Sequence, residues 1–558
     1  MKFSFSGRFQ GYSKKSFQKD LTSGLIVGIV AIPLGMAFAI ASGVKPEYGL
    51  YTTIVAGILI SLFGGSKFQI GGPTGAFVPI LFAIVMQYGY ENLLIAGFMA
   101  GVILLLLGIF KLGDVIKFIP RPVTIGFTTG IAVTIFTGQI ANFLGLRDLQ
   151  KHPDFLSNMK ELGVHLSTTA IYSVLTATIC LVLIVLSPRL FPKIPGSLVG
   201  LLVSTVVASL FYPNHVATIG STYGAIPNSL PGLHFPAFSI EHIVNLIKPA
   251  FIIAMLGGIE SLLSAVVADG MSGTRHNSNR ELIGQGIANL ITPLFGGIPA
   301  TGAIARTATN IKSGAVSPFS GVIHGIIVLF VLFFFAPYAS NIPLASLAPI
   351  LMVVAWNMSE RKEFAHTLKT KSAESLVLLV TFVLTVFIDL TTAVEVGLVL
   401  SGIIFVKNMS GLLKTAMVLT NPSSDKNEKG SAPMVNEQLN ASQISIFTVQ
   451  GALFFGAANK FEKTIMDEIQ NEPKVLILKM GSVPYMDITG ESLLSSVIKH
   501  VKKQGGTVFI SEIQDQPRQM LQNTRLDIFI GQEHFFEKTG EAVRYAITKL
   551  NHSSYQTP

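Results

Sequence analysis

Two short glycine-proline segments, each deep inside apolar sequence, hold the residues of this chain best able to do chemistry. They are Gly71-Gly72-Pro73-Thr74-Gly75-Ala76-Phe77 and Gly296-Gly297-Ile298-Pro299-Ala300-Thr301-Gly302-Ala303-Ile304-Ala305-Arg306. A double glycine followed by proline and small residues interrupts a membrane helix and starts a new one, because proline suits a first helical turn and glycine the irregular backbone before it. Broken backbone at membrane depth is tolerated only where protein buries it or where it lines a wet cavity. Two such breaks in corresponding halves, with half-helix N-termini facing a common point, are the sequence mark of a substrate site in a secondary transporter. Each N-terminus carries roughly half a positive charge, so two facing ends offer about +1 to an anion, and Arg306 would raise this to about +2. The expected contacts are the N–H groups of Gly75, Ala76 and Phe77 on one side and of Ala303, Ile304 and Ala305 on the other, with the Thr74 hydroxyl as an added donor. No metal or cofactor is required. Small residues also serve helix packing in membranes, but their pairing behind two proline breaks favours binding.

Glu260 is the second chemical feature. It lies in the apolar run Ile252 to Leu263, where a charge costs ~2.5–3.5 kcal/mol or more and must face the interior. It is expected to be a protonatable coupling residue; the alternative is a structural partner for Arg306 or for backbone. Ionised, it holds the site charge near +1; protonated, it lets that charge rise toward +2, which would draw in a dianion together with the proton.

The elements that position these residues are membrane helices. The chain has 558 residues, half of them hydrophobic and 13% charged, with a mean hydropathy of +0.57, which is a membrane-protein composition. Apolar runs recur at 21–42, 49–64, 91–110, 123–143, 170–187, 197–212, 249–268, 317–336, 344–356, 374–389 and 393–406. Several can cross a ~30 Å hydrocarbon core, and the shorter ones suit broken or half-spanning pieces. The first run continues into more membrane sequence without a cleavage site, so it is not a signal peptide. The net charge of +9 is not a nucleic-acid patch, since the basic residues sit at span ends. Arg8, Lys14, Lys15 and Lys19 precede the first span and Lys407 and Lys414 follow the last, which places both termini in the cytoplasm and requires an even number of spans. The single cysteine, Cys180, is expected to be a small core residue. No phosphate-binding G-x-x-x-x-G-K-[ST] occurs, which disfavours ATP-driven transport.

Near residue 415 the character of the chain changes. Residues 421–440 are polar and turn-rich, so 416–440 is expected to be a linker, and residues 441–558 a soluble segment. It is expected to hold a strand at Ile444–Val449, a helix from Asn459 to about Gln470, a strand at Val475–Met480, a helix from Gly490 to Gln504 and a strand at Thr507–Ile510, a small α/β domain. Residues 1–20 are an N-terminal segment and 21–415 the membrane part. That part holds an internal repeat: Pro73 and Pro299 lie 226 positions apart, and Pro33 and Glu260 lie 227 apart. The halves run at about 21–212 and 249–415. An odd number of spans in each would invert the second relative to the first.

Pro33-Leu34-Gly35-Met36-Ala37-Phe38-Ala39, GLYTTIVAGI at 49–58, GGPTGAF at 71–77, the block at 260–290, GGIPATGAIARTATN at 296–310 and DLTTAVEVG at 389–397 together resemble the SulP anion permeases. That family includes sulfate permeases, bicarbonate and dicarboxylate transporters, pendrin and prestin. The resemblance covers nearly the whole chain. It implies a polytopic α-helical membrane protein of about fourteen segments in two inverted seven-segment repeats, divided into core and gate as in the uracil-permease fold, with a cytoplasmic STAS domain. It implies secondary active transport of a small anion, no enzyme activity, a plasma-membrane location and a homodimer, and it adds Phe38 to the substrate site. In the sodium-coupled bicarbonate members an aspartate stands at the position of Glu260, with threonines at those of Ser264 and Ile304. Ser264 is therefore a candidate coupling residue beside Glu260, while isoleucine at 304 removes an oxygen that Na⁺ would want. H⁺ symport is favoured over Na⁺ symport, with an anion exchanger or channel, a nucleobase permease and a membrane-anchored sensor as remaining alternatives.

The other candidates have plainer expectations. His324 and Trp356 should be packing residues, and Asp389 and Glu395 interfacial or capping. Arg275, His276, Arg280 and Glu281 should form an ordered polar loop. Val483-Pro484-Tyr485-Met486-Asp487-Ile488-Thr489-Gly490 resembles the strand-to-helix turn of STAS domains. Ile488 stands where phosphorylated members carry serine, and Thr489 is the expected helix N-cap.

Overall fold

The computed structural model describes residues 12–113, 119–152, 154–190, 194–229, 232–233, 235, 239–411, 414–418, 443–456, 465–466 and 474–554. Its contacts divide the chain into two compact units, Met1–Val399 and Leu400–Pro558.

Among the described residues fourteen helices carry the two repeats, with four shorter helices, Ile140–Leu144, Phe155–His165, Ile219–Tyr223 and Arg361–Lys369, in the connections. The first seven are α1 (Lys14–Ala41), α2 (Pro46–Phe63), α3 (Val78–Tyr88), α4 (Tyr90–Ile109), α5 (Arg121–Gly138), α6 (Ile171–Leu190) and α7 (Gly196–Phe211). The second seven are α8 (Ile240–Ser272), α9 (Ser278–Ile291), α10 (Ile304–Lys312), α11 (Phe319–Ala339), α12 (Leu344–Met358), α13 (Ala373–Phe387) and α14 (Leu390–Gly411). Among the described residues eight helices are long and apolar enough to cross a membrane. Helices α3 and α10 are short because glycine and proline stop the preceding chain at mid-depth, and each begins only after an irregular strand, β1 (Gly71–Gly72) and β2 (Thr301–Gly302).

The repeat is visible in the packing. Helix α4 lies on α8 and α9; seven positions along, α11 lies on α1 and α2. Likewise α5 packs on α13 and α12 on α6. One bundle therefore comprises α1–α4 with α8–α11 and the other α5–α7 with α12–α14. The two breaks meet as an antiparallel pair, Gly71 opposite Gly302 and Gly72 opposite Thr301, which is the geometry expected of inverted halves.

The C-terminal unit is a five-stranded sheet, β3 (Lys414–Val418), β4 (Ile444–Gln450), β5 (Val475–Ser482), β6 (Thr507–Ser511) and β7 (Phe535–Phe536), in sequential order. β3 runs antiparallel to β4, and the remaining pairs are parallel. Alternation along the strands sends Leu476, Leu478, Val508 and Ile510 to one face, against Leu494 and Val497 of α15 (Ile488–Lys503) and the short α16 (Asp515–Asn523) and α17 (Leu526–Ile530). Ile444, Ile446, Ile477 and Phe509 go to the other, under Ala542 and Ala546 of α18 (Thr539–Ser554). The expected strands and the α15 helix are present. The expected helix at 459–470 lies outside the described residues except at 465–466, which are helical. The cap of α15 is Asp487, whose Oδ1 accepts from the Gly490 N–H at 2.8 Å; Thr489 lies inside the first turn. An ionised carboxylate suits an N-terminus better than a neutral hydroxyl.

Candidate functional site

The Ala303 N–H donates to the Ile70 carbonyl at 2.8 Å and thereby ties the start of α10 to the chain before β1. On the other side Thr74 opens a single 3₁₀ turn, Gly75–Phe77, that leads into α3, and the Phe77 N–H closes that turn on the Thr74 carbonyl at 3.3 Å. Two of the six expected donors, those of Ala303 and Phe77, are thus engaged in holding the junction together. The orphan donors of a helix start are here those of Gly75 and Ala76 on one side and of Ile304, Ala305 and Arg306 on the other. The backbone N–H of Arg306 is a donor that the sequence reading missed.

Thr74, Gly75, Ala76, Phe77, Phe38 and Ala303 are buried, whereas Ile304 and Ala305 are exposed. Phe38 lies against Gly75, where a Cβ would meet its ring at 3.4 Å and, from the other bundle, Ile135 and Met358 at 3.3 Å. The two bundles therefore close on each other at Gly75. The Phe77 ring turns toward Gly257 of α8.

Glu260 is half-buried and its carboxylate accepts the Thr74 hydroxyl at 2.8 Å. This bond joins the second repeat's first helix to the first repeat's half-helix. Arg306 is only 3% exposed; one amino group donates to the Pro73 carbonyl and the other lies against Gly72, with no hydrogen-bond partner among the described residues. Among those residues no ion pair within 4.0 Å links Arg306 to Glu260, whose carboxylate bonds Thr74 instead.

Ser264 does not join Glu260. It is fully buried, and its hydroxyl lies 3.0 Å from Gln69 Oε1 and 3.3 Å from Thr307 Oγ1. Gln69 in turn donates to the Ser261 carbonyl at 3.0 Å, and Thr307 accepts the Ile70 N–H at 3.0 Å. This network was missed; its signal in the sequence is a glutamine and a threonine lying just before the first break and just after the second. Asn289 holds the second break by pairing with both the N–H and the carbonyl of Ala300, each at 2.8 Å. Among the described residues there is no cluster of three or more His, Cys, Asp or Glu side chains suited to a metal ion.

The outlying candidates resolve individually. Asp389 caps α14 by accepting the Thr392 N–H at 2.8 Å, and Glu395 is exposed along α14. Arg280 and Glu281 belong to the first turn of α9 rather than to a loop, and Glu281 is fully buried, accepting from Gly65 N–H, Ser66 N–H and the Ser261 hydroxyl. His276 pairs with Asp269 at 2.7 Å in the loop before it. Cys180 and His324 are fully buried, but Trp356 is 55% exposed and carries the Arg361 guanidinium 4.3 Å above its ring. That stacking, not core packing, is its environment.

Inverted halves that meet through paired broken helices place this protein in the class of membrane transporters. The chain belongs to the sulfate permease family, whose model matches residues 17–381, and the STAS domain model matches residues 433–542. YvdB of Bacillus subtilis (strain 168), provisionally named a sulfate transporter, is 56% identical over 537 residues, which cover 96% of this chain and 99% of that one. The bicarbonate transporter BicA of Picosynechococcus sp. (strain ATCC 27264 / PCC 7002 / PR-6) is 30% identical, with 96% and 95% covered. The solved overall structure of SLC26A9 superposes with a TM-score of 0.85 over 98% of this chain and 92% of its own at 19% identity, a likeness of fold. The transmembrane domain of a cyanobacterial BicA gives 0.61 at 30% identity, covering 70% of this chain and 98% of its own. The family is one of permeases, not enzymes.

Proposed function

We propose that this chain takes a small anion, sulfate first among the candidates, across the plasma membrane by alternating access with symported H⁺. The carrying observation is the antiparallel pairing of β1 and β2, which brings two half-helix N-termini together beside a carboxylate bonded to Thr74. Backbone donors and a buried guanidinium suit an oxyanion. They offer little to the edges of a nucleobase. The likeness to YvdB favours sulfate, and that to BicA makes bicarbonate the second choice, with C4-dicarboxylates third. Proton coupling draws support from Glu260, the one acidic side chain in the run from Ile252 to Leu263. A Na⁺-coupled cycle is the runner-up; Ser264, committed to Gln69 and Thr307, and oxygen-free Ile304 weigh against it. Both termini and the STAS domain are assigned to the cytoplasm, and the working unit to a homodimer.

Uptake of radiolabelled sulfate, bicarbonate and succinate into proteoliposomes, driven in turn by pH and Na⁺ gradients, tests this reading. Sulfate accumulation that follows the pH gradient is expected. Glu260→Gln should still exchange anion but lose proton-driven accumulation, by about tenfold or more if the residue carries the coupling. If the Gln variant still acidifies the lumen in step with sulfate uptake, Glu260 does not couple.

A further inference from the structure

The C-terminal unit ends, on one side, in an apolar tip that its own core does not cover. There the loop Leu453 to Gly456 is knitted to the turn Tyr485 to Ile488. The Leu453 N–H donates to the Tyr485 carbonyl at 2.9 Å, the Asp487 N–H to the Leu453 carbonyl at 3.1 Å and the Phe455 N–H to Asp487 Oδ2 at 3.0 Å. Phe455, Tyr485 and Ile488 extend from this knot and are 62, 50 and 61% exposed. A contiguous exposed apolar group of this kind marks an interaction surface. Asp487 is the only charge in the knot, and both its oxygens are engaged, one on Phe455 and one on the α15 N-terminus.

The depth of the tip follows from what holds it. The Gly456 carbonyl accepts the Ser410 hydroxyl, and a Cβ on Gly456 would lie 3.0 Å from Val406 Cγ1. Both partners belong to the last turns of α14, and Thr392–Ser410 has the length and composition of a membrane span. Between Glu395 and Lys407 that helix carries no charge. The first lysine beyond an apolar span marks the headgroup level, so a loop fastened to Val406 and Ser410 lies at that level too.

We infer that Phe455, Tyr485 and Ile488 enter the headgroup region of the leaflet at the C-terminal end of α14, so that the partner of this surface is the lipid bilayer itself. Aromatic rings concentrate in that region because they offer an apolar body and a polar or polarisable edge, and Ile488 adds apolar area beside them. The inference rests on the membrane reading of α14 and is independent of the transported anion.

Its test uses the full chain in proteoliposomes. The one native tryptophan is Trp356, so Trp356→Phe supplies a dark background for Phe455→Trp and, as a second reporter, Ile488→Trp. Ile528→Trp on α17 is the control. Ile528 is 66% exposed, and its neighbour Phe529 contacts Lys502 at the far end of α15, on the order of 20 Å from Asp487 at 1.5 Å per helical residue. Lipid brominated high on the acyl chain should quench the two tip reporters at least about twofold more than the control, with acrylamide doing the reverse, as interfacial partitioning requires. Acrylamide quenching equal to that of the control would overturn the inference. Blue-shifted emission spared by both quenchers would overturn it as well, by placing protein, such as a second copy of the chain, over the tip.

Discussion

The two helix breaks share a backbone plan and differ in what they are finished with. At the first, Thr74 opens a 3₁₀ turn and gives its hydroxyl to Glu260. At the second, α10 starts directly after Ala303, and Arg306 reaches back to the Pro73 carbonyl of the first break. The partner helices differ as well, since Glu260 in the second repeat corresponds to Pro33 in the first by the 226–227 residue offset. The symmetric part, two helix N-termini joined through the paired strands, has the electrostatics that the proposed anion site needs. The asymmetric part adds a titratable group, and only that can couple binding to a proton. On the proposed reading, the repeated plan would hold the anion and the single-position differences at Thr74, Glu260 and Arg306 would supply the coupling.

The largest effect is expected where the two breaks touch. A Cβ on Gly302 would fall 1.6 Å from Gln69 Nε2 and 3.2 Å from Ser261 Cα, so Gly302→Ala should cost on the order of 3 kcal/mol and leave little monodisperse protein on size exclusion. Gly75→Ala, whose nearest contacts are at 3.3–3.4 Å, should remain folded. Equal stability of the two variants would show that the pairing is not tight.

Arg306→Ala comes next. It removes a charged donor from the site and strips the Pro73 carbonyl of its partner; the loss of about 1.5–3 kcal/mol implies roughly 10- to 100-fold weaker sulfate binding by scintillation proximity. An unchanged Kd would confine Arg306 to structure and leave the anion to the backbone ends. Thr74→Val, which cuts the link to Glu260, should lower turnover by about tenfold while Thr74→Ser retains it, as the lower end of the worth of one hydrogen bond to a charged group suggests. If valine is as good as serine, the two repeats are not coupled through this bond.

The smallest effect is expected away from both breaks. Asp487→Ala removes the α15 cap and should cost about 1 kcal/mol in the melting of the C-terminal unit. Sulfate affinity should not change. A shift in Kd would mean that the comparison of the two junctions omits a third participant.

Much of the fold was legible because membrane solvation is a blunt filter. A bilayer demands long apolar runs, positions lysine at their ends and forbids unpaired backbone unless protein or water covers it, so the breaks at Gly71 and Gly296 and the carboxylate at Glu260 stood out from composition alone. The same filter hid the finer site. Ser264 resembled a cation ligand by position, yet a one-dimensional pattern cannot show which way a hydroxyl turns, and here Gln69 and Thr307 take it. Glu281, expected with Arg275, His276 and Arg280 in an ordered polar loop, is instead fully buried at the start of α9, where it accepts from Gly65, Ser66 and Ser261.

The sequence by itself determined where the helices run, where they break, that the chain is duplicated, that one carboxylate must face inward and that a soluble α/β domain follows. These are consequences of transfer free energy and backbone hydrogen bonding, and both are local. Only the tertiary structure decided which N–H groups stay unpaired, which carbonyl Arg306 reaches and which hydroxyl Glu260 receives. Each of those depends on residues some 190 to 230 positions apart whose meeting is settled by the packing of two inverted halves.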